Sequence, residues 1–342
     1  MDSQLGYQAP FRAPFTVCLW LTDFCNLACK YCYAMPFSGR YMETNRLLRL
    51  IDECIELGVF DLTIAGGEPL LHPNILDAIT HAVNGGMRVG LLTNGVGLNS
   101  KMRTELERRT NRKNFIVQIS LDSVEPEIND RTRGQTKIVV ENIRAMVDSS
   151  LDLQIACVIS KSNFKTAHQI IDAFYPIVKR YHFLNIQRTE QALKNPELLL
   201  DEHECFQFWV HLNEYRKKFP EDLFLPSLRV QMRGSGLANV EPEFNVFGET
   251  TFDCQACSAG WTHINIDSDF NMLGCDIAKD YTFMGNLRDR SFTEVWNSKE
   301  AAIVRNSPYP ACYKITNPTG ERLEDWLKSE FSEYKTSDGK IS

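Results

Sequence analysis

The sequence predicts an α/β fold of six strand-then-helix units followed by a smaller cysteine-bearing unit. Three observations carry this. Short apolar runs rich in β-branched residues alternate with longer segments of helical period. Polar and chemically active residues fall just after those runs, where the C-terminal ends of parallel strands collect functional groups. Seven of the 11 cysteines fall in two tight groups, one after the first run and one near the end.

Taken in order, strands are expected over 15–21 (FTVCLWL), 62–65 (LTIA), 88–93 (RVGLLT), 115–121 (FIVQISL), 153–159 (LQIACVI) and 183–187 (FLNIQ). Each is short, apolar and β-branched or aromatic, as a strand covered on both faces should be. Helices are expected over 44–57, 73–85, 100–109, 138–149, 166–180 and 202–219. Ile51, Cys54, Ile55 and Gly58 follow one helical stripe, and Cys205, Phe208, Trp209 and Leu212 another. Six such units in a row imply parallel strands with right-handed crossovers. Periodicity alone fits an open, partial barrel as well as a flat doubly wound sheet. The segments after the strands read TDFCNLACKYCY, GGEP, NG and KSN.

The net charge of −7 gives no general attraction to nucleic acid or anionic membranes. The start, MDSQLGYQAPFRAPF, lacks the basic and apolar regions of an export signal, and no run reaches about 18 apolar residues. A soluble, cytoplasmic protein is therefore expected. An odd cysteine count without an export signal points to metal or redox chemistry rather than disulfides. The chain divides into an extension (1–14), a strand–helix domain (15–219), a Pro/Gly-punctuated connector (220–253), a cysteine-bearing unit (254–325) and a polar tail (326–342).

Cys25, Cys29 and Cys32 have the spacing C-x3-C-x2-C. Three thiolates within eight residues of a loop can converge on one soft metal centre, an iron–sulfur cluster or zinc. Three is the informative number. A structural zinc site uses four protein ligands, whereas a cubane on three cysteines leaves one iron open. The plain alternative is a zinc knuckle short of one ligand. C-x3-C-x2-C after a first strand resembles the radical S-adenosylmethionine superfamily. The resemblance implies a partial (β/α)6 TIM-like barrel and a 4Fe–4S cluster whose open iron chelates S-adenosylmethionine. It also implies reductive cleavage to a 5′-deoxyadenosyl radical that takes a hydrogen atom from substrate.

The same resemblance implies roles for further residues, each of which is otherwise an ordinary loop or turn residue. Tyr31 occupies the aromatic position that packs near the adenine. Gly66, Gly67, Glu68 and Pro69 match the GGEP that meets the methionine ammonium. Thr93 and Asn94 match the end of the third strand, and Ser120 and Asp122 the end of the fourth, where the family contacts ribose and carboxylate. Arg133 begins a frequent Arg-Gly pair, its guanidinium available to a carboxylate. Asn163 fits the Asn after the fifth strand.

Cys254, Cys257, Cys275 and Cys312 supply four thiolates, a full set for one further 4Fe–4S cluster. The stretches CSAGWTHINIDSDFNMLGC and MGNLRDRSFTEVWNS resemble SPASM/twitch domains, which read C-x-A-G, a D-x-D-G hairpin, C, G-N-[IL] and E-[IV]-W. Two departures stand out. Phe270 occupies the hairpin glycine position, and no cysteine follows Cys312, so one auxiliary cluster is expected. Whether Cys312 or substrate supplies its fourth ligand stays open. The plain alternative is a zinc ribbon.

Cys54 and Cys205 read as core residues. Cys18 and Cys157 lie on barrel strands. Either, if it faced the interior, would be placed to return a hydrogen atom to a substrate radical, as in some radical epimerases. The plain reading of each is a small buried hydrophobe. The family resemblance points first to a ribosomally made peptide, modified by crosslinking, epimerisation or oxidation. Only about 14 residues precede the first strand, so a peptide would need a separate recognition protein or direct capture at the barrel mouth. The alternative is a small molecule such as an aminocyclitol or sugar. An electron donor such as flavodoxin or ferredoxin is implied as well. A non-catalytic scaffold would have no use for an open iron. The molybdenum-cofactor cyclase is set aside because its GG tail is missing here.

Overall fold

The computed structural model describes residues 11–35, 37–187, 189–220, 223, 260–276, 279 and 282–306. Six parallel strands form: β1 (Thr16–Thr22), β2 (Asp61–Gly66), β3 (Arg88–Thr93), β4 (Phe115–Ser120), β5 (Asp152–Ile159) and β6 (Arg180–Asn185). They lie side by side in chain order, β6–β5–β4–β3–β2–β1. That order decides between the two architectures the sequence left open. A doubly wound sheet reverses its strand order and puts helices on both faces. Here every crossover moves the same way, so the helices share one face and the sheet curls as a partial barrel.

The helices are α1 (Thr44–Leu57), α2 (Ile75–Asn84), α3 (Ser100–Arg109), α4 (Pro126–Asn129), α5 (Thr136–Arg144), α6 (Gln169–Phe174), α7 (Glu190–Leu193) and α8 (Glu202–Arg216). In α1 the buried face is Leu47, Leu50, Ile51 and Cys54, a helical stripe against the sheet. The Glu43 carboxylate accepts hydrogen bonds from the Asn45 and Arg46 N–H groups at its start. Gly58 is not part of the stripe. It adopts φ 80° and ends the helix, its N–H donating to the Cys54 and Ile55 carbonyls. The segments expected over 138–149 and 166–180 are helical only over 136–144 and 169–174. The short α4 and α7 had no strong periodic signal.

Strand alternation sorts side chains between two environments. Val17, Leu19 and Leu21 of β1 join the main core beneath the helices. Cys18 and Trp20 point the other way and pack with Ala34, Ala65, Cys32, Phe37 and Leu92 on the inner face. Cys157 belongs to the helix-side core with Leu153, Ile155 and Ile159. It therefore does not face the barrel interior, which corrects the expectation that it could donate hydrogen there.

Beyond β1 the sheet continues with β7 (His263–Ile266), β8 (Asn271–Leu273) and β9 (Phe283–Asn286), in the order β1–β7–β8–β9. β7 pairs parallel to β1, with Cys18 opposite Asn265, and β7–β8–β9 is antiparallel. The hairpin of the cysteine-bearing unit thus extends the barrel sheet. Two helices follow, α9 (Phe292–Trp296) and α10 (Lys299–Asn306). Arg46 of α1 donates to the Leu287 carbonyl at 2.6 Å, and Glu53 accepts from the Phe292 N–H at 2.7 Å. Phe270 holds φ 65°, the left-handed conformation a glycine takes easily, at a cost of about 1–2 kcal/mol. Its buried ring offsets that cost by joining the main core.

Candidate functional site

The cluster loop runs from β1 across the inner face of the sheet. Its Cys25, Cys29 and Cys32 are half-buried. The Cys32 N–H donates to the Cys29 carbonyl at 3.1 Å, folding the loop into a turn. Burial raises all three thiols, Cys29 to about 11, with Arg133 opposing the rise at Cys29. Cys25 also feels the charge of Cys32, and Cys29 that of both Cys32 and Cys25. Among the described residues no three His, Cys, Asp or Glu side chains converge as a single ion requires. A cubane spreads its thiolates over separate corners, so this donor set suits it better than a lone zinc. N–H groups already face the sulfurs. Leu27 N–H lies 3.4 Å and Asn94 Nδ2 3.9 Å from Cys25 Sγ, and the Ala34 and Met35 amides favour thiolate at Cys32. Such donors stabilise cluster-bound thiolate.

The two glycines of GGEP serve the meeting of two loops. A Cβ on Gly66 would overlap the Thr22 carbonyl, and one on Gly67 the Phe24 carbonyl. The Gly67 N–H donates to Thr22 O at 2.7 Å and the Glu68 N–H to Phe24 O at 2.8 Å. The close approach that glycine permits is therefore between this loop and the start of the cluster loop. Glu68 is 1% exposed. Its carboxylate accepts from Thr93 Oγ1 at 2.6 Å, the Leu70 N–H at 3.1 Å and the Asn94 N–H at 2.7 Å. Burial raises its pKa against the pull of these donors. Asn94 Nδ2 reaches Asn26 Oδ1 at 2.7 Å, so one residue ties β3, GGEP and the cluster loop together. Pro69 starts a 3-10 turn after the GGE.

Asp122 is a second hub. Its carboxylate accepts from Arg133 Nε at 2.9 Å, Thr132 Oγ1 at 3.2 Å, the Val158 N–H at 3.0 Å and the Tyr31 hydroxyl. The Arg133 guanidinium lies 5.4 Å from the Tyr31 ring centroid. Burial opposes the Arg133 charge, but Asp122, Tyr31 and Cys29 hold it firmly protonated. Burial likewise keeps the Tyr31 phenol protonated and donating. Tyr31 packs with Val158, Ala192 and Leu198 rather than standing free. Asn163 is 2% exposed and wholly engaged. It donates to the Asp122 and Val158 carbonyls, each at 2.9 Å, and accepts from the Ser160 N–H at 2.7 Å. Its place in the fold is that of a knot joining the ends of β4 and β5. Ser120 lies at the inner-face end of β4 with no hydrogen bond to its hydroxyl among the described residues.

The structure brings the separately expected Tyr31, Asp122 and Arg133 to one place, and Glu68, Thr93 and Asn94 to another, groupings that the sequence reading does not make. That reading missed Asn26 and Thr132, which complete those networks, and Trp20, which shares the inner face with Cys18. Alternation along β1 was the one signal for Trp20. Cys275 follows β8, and the Cys275 N–H takes Thr282 Oγ1 as acceptor at 3.0 Å. Cys254, Cys257 and Cys312 lie outside the described residues.

The family model described as the radical SAM superfamily matches residues 21–174, and the iron–sulfur cluster-binding (SPASM) domain matches residues 257–314. A PqqA peptide cyclase of Granulibacter bethesdensis is 25% identical over 293 residues, 82% of this chain and 73% of its own. The mycofactocin maturase MftC of Mycobacterium tuberculosis is 26% identical over 316 residues, 89% of this chain and 75% of its own. Streptococcus suis SuiB bound to S-adenosylmethionine superposes with a TM-score of 0.72 at 16% identity, over 86% of this chain and 68% of that one. At that identity the likeness shows the fold. SuiB has also been solved with its precursor peptide SuiA, and this chain matches it with a TM-score of 0.70 at 15% identity, over 85% of this chain and 66% of that one.

Proposed function

The chain belongs to the radical S-adenosylmethionine superfamily and carries a C-terminal iron–sulfur cluster-binding domain of the SPASM type, and from that premise we propose that it modifies a ribosomally made precursor peptide. One observation carries the peptide reading over the aminocyclitol or sugar alternative. The curated relatives it matches at 25–26% identity over more than four-fifths of the chain are named for peptide cyclisation and peptide maturation.

The cofactors are S-adenosylmethionine, a 4Fe–4S cluster that binds it, and an auxiliary 4Fe–4S cluster. When bound, the first cluster and S-adenosylmethionine supply a 5′-deoxyadenosyl radical that removes a substrate hydrogen atom. The chain's own residues do the rest. We assign Cys25, Cys29 and Cys32 to the first cluster, and Cys254, Cys257, Cys275 and Cys312 to the auxiliary one. Glu68, Thr93 and Asn94 fix the GGEP backbone against the cluster loop, which leaves the Gly66–Gly67 strand end to receive the ammonium of the methionine part. Asp122, Arg133 and Tyr31 lock the far side of that loop, and Arg133 keeps a permanent positive charge beside Cys29 for a carboxylate. Ser120 presents its hydroxyl on the same inner face for ribose. Asn163 acts behind them, by holding the strand ends in place. Among the described residues no helix is long and apolar enough to cross a membrane. A cytoplasmic setting fits an oxygen-sensitive cluster fed by flavodoxin or ferredoxin, and a separate peptide-recognition protein would deliver the precursor.

The test is anaerobic turnover of the reconstituted protein with dithionite and S-adenosylmethionine. The substrates tried are synthetic peptides encoded by short reading frames beside its gene. 5′-Deoxyadenosine, about eight irons per chain and a mass change or solvent deuterium in one peptide support the proposal. Zinc in place of iron at the N-terminal loop overturns it, and turnover of an aminocyclitol but no peptide redirects it.

A further inference from the structure

Among the described residues, two buried side-chain N–H donors on the inner face have no acceptor. Trp20 of β1 is 4% exposed and Asn265 of β7 is 1% exposed. Among the described residues Trp20 Nε1 and Asn265 Nδ2 each lack a hydrogen-bond partner, although the Asn265 side chain does bond His263. An unmet buried donor carries a desolvation penalty that a folded protein rarely leaves standing. Both donors border the same residue. Asn265 is the register partner of Cys18 across the β1–β7 pair, and Trp20 lies two residues further along the same face of β1. The Trp20 indole leans close enough to the Cys18 thiol to influence its ionisation without forming an aligned bond. On that inner face Trp20 packs beside Cys32 of the cluster loop.

From these observations we propose that Trp20 and Asn265 form a subsite that grips a backbone amide carbonyl of the peptide substrate alongside Cys18. The proposal rests on the peptide reading above. Two unmet donors call for an acceptor, and the local charge says which kind. Lys279 stacks over the Trp20 ring at 4.1 Å and feels three carboxylates, Asp267, Asp276 and Asp23, the last of which also pairs with Arg40. Asp276 also faces Cys18, Tyr33 and His263. A further carboxylate would be repelled there, whereas a neutral amide carbonyl accepts both hydrogen bonds without adding charge. β7 comes from the C-terminal unit, so the subsite exists only where that unit's hairpin extends the barrel sheet. A peptide held there lies on the sheet face that carries the cluster loop.

The test uses anaerobic holoenzyme and a displayed pool of random linear decapeptides as probe. Asn265→Leu removes its donor while keeping the branched shape, and Trp20→Phe removes the indole N–H. Iron content and the unfolding midpoint check that each variant is folded. Asn265→Ala replaces Asn265→Leu, and Trp20→Leu replaces Trp20→Phe, where the first variant fails those checks. Peptides retained by the parent should bind each variant at least about tenfold more weakly, the loss expected for one hydrogen bond to a buried donor. Reducing the backbone carbonyls of a retained peptide one at a time should identify one position that weakens binding to the parent more than to Asn265→Leu, which keeps only the Trp20 donor. Equal retention by parent and variants overturns the subsite and leaves the peptide reading intact. Retention of no peptide by the parent overturns the subsite, and the peptide reading then stands or falls on the turnover test above.

Discussion

Asp122 and Arg133 form a buried ion pair, with Nε 2.9 Å from Oδ1 and side-chain exposures of 2% and 11%. The pair closes the cluster loop against the barrel. Thr132 beside it donates to the other carboxylate oxygen, and its carbonyl receives the Lys30 N–H at 3.1 Å.

Arg133→Met should therefore destabilise the protein by about 3–5 kcal/mol, because it leaves Asp122 charged and buried. Denaturant unfolding of the anaerobic protein measures this. Arg133→Lys keeps the charge and should recover part of the loss, although a point charge cannot lie flat over the Tyr31 ring. A loss under 1 kcal/mol in Arg133→Met would refute the account.

Gly67→Ala should separate the barrel from its cluster. A Cβ there has nowhere to go except into the Phe24 carbonyl, so the loop must shift and the three thiols with it. Iron per chain should fall from about eight toward about four on reconstitution, since only the N-terminal cubane is affected. Gly58→Ala provides the contrast. That site is open, and only its φ of 80° resists a side chain, so the loss is about 1 kcal/mol with iron unchanged.

Cys157→Ala should leave 5′-deoxyadenosine and product formation as they are. Its sulfur sits in the helix-side core, near the Asp122 carbonyl at 3.6 Å and Asn163 Nδ2 at 3.7 Å. The change should register only as a lower unfolding midpoint. A variant that cleaves S-adenosylmethionine normally yet makes no product would restore Cys157 as a hydrogen donor.

His72 should make stability fall in mild acid. It is 2% exposed, its Nε2 lies 3.0 Å from the Met42 carbonyl, and its Nδ1 accepts the Asn74 N–H at 3.2 Å. Both contacts suit the neutral ring, and burial lowers its pKa. A depressed folded-state pKa contributes stability that is complete above the unfolded value, about 6.5, and is lost as pH falls toward the folded one. His168, His182 and His263 shift the same way. The unfolding midpoint should drop between pH 7.5 and 5.5, and His72→Gln should flatten that slope. An equal slope in both would show that His72 contributes nothing to it.

Much of this was legible in advance because it is local. All six barrel strands lie where short β-branched runs stood, displaced by at most three residues at either end. The cluster motif needed no fold to be seen, since three thiols in eight residues are close whatever surrounds them. Helix ends were less legible. Gly58 looked like one more position on a stripe, and only its left-handed φ shows that it ends the helix. The weak α4 and α7 are held by tertiary contacts, which leave no period to read.

The sequence by itself determined the thiol spacing, the strand–helix alternation and the side-chain alternation within each strand, because these depend on neighbours along the chain. Tertiary structure decided which of the two alternating faces became the interior. Cys18 and Cys157 sit on equally apolar strands, yet Cys18 faces the cluster loop and Cys157 the helices. It also decided that β7 pairs with β1 and sets Asn265 beside Cys18, a contact between residues 247 positions apart. A strand's period fixes that successive side chains oppose each other. Which side is inside depends on where the helices pack, and only the folded sheet contains that information.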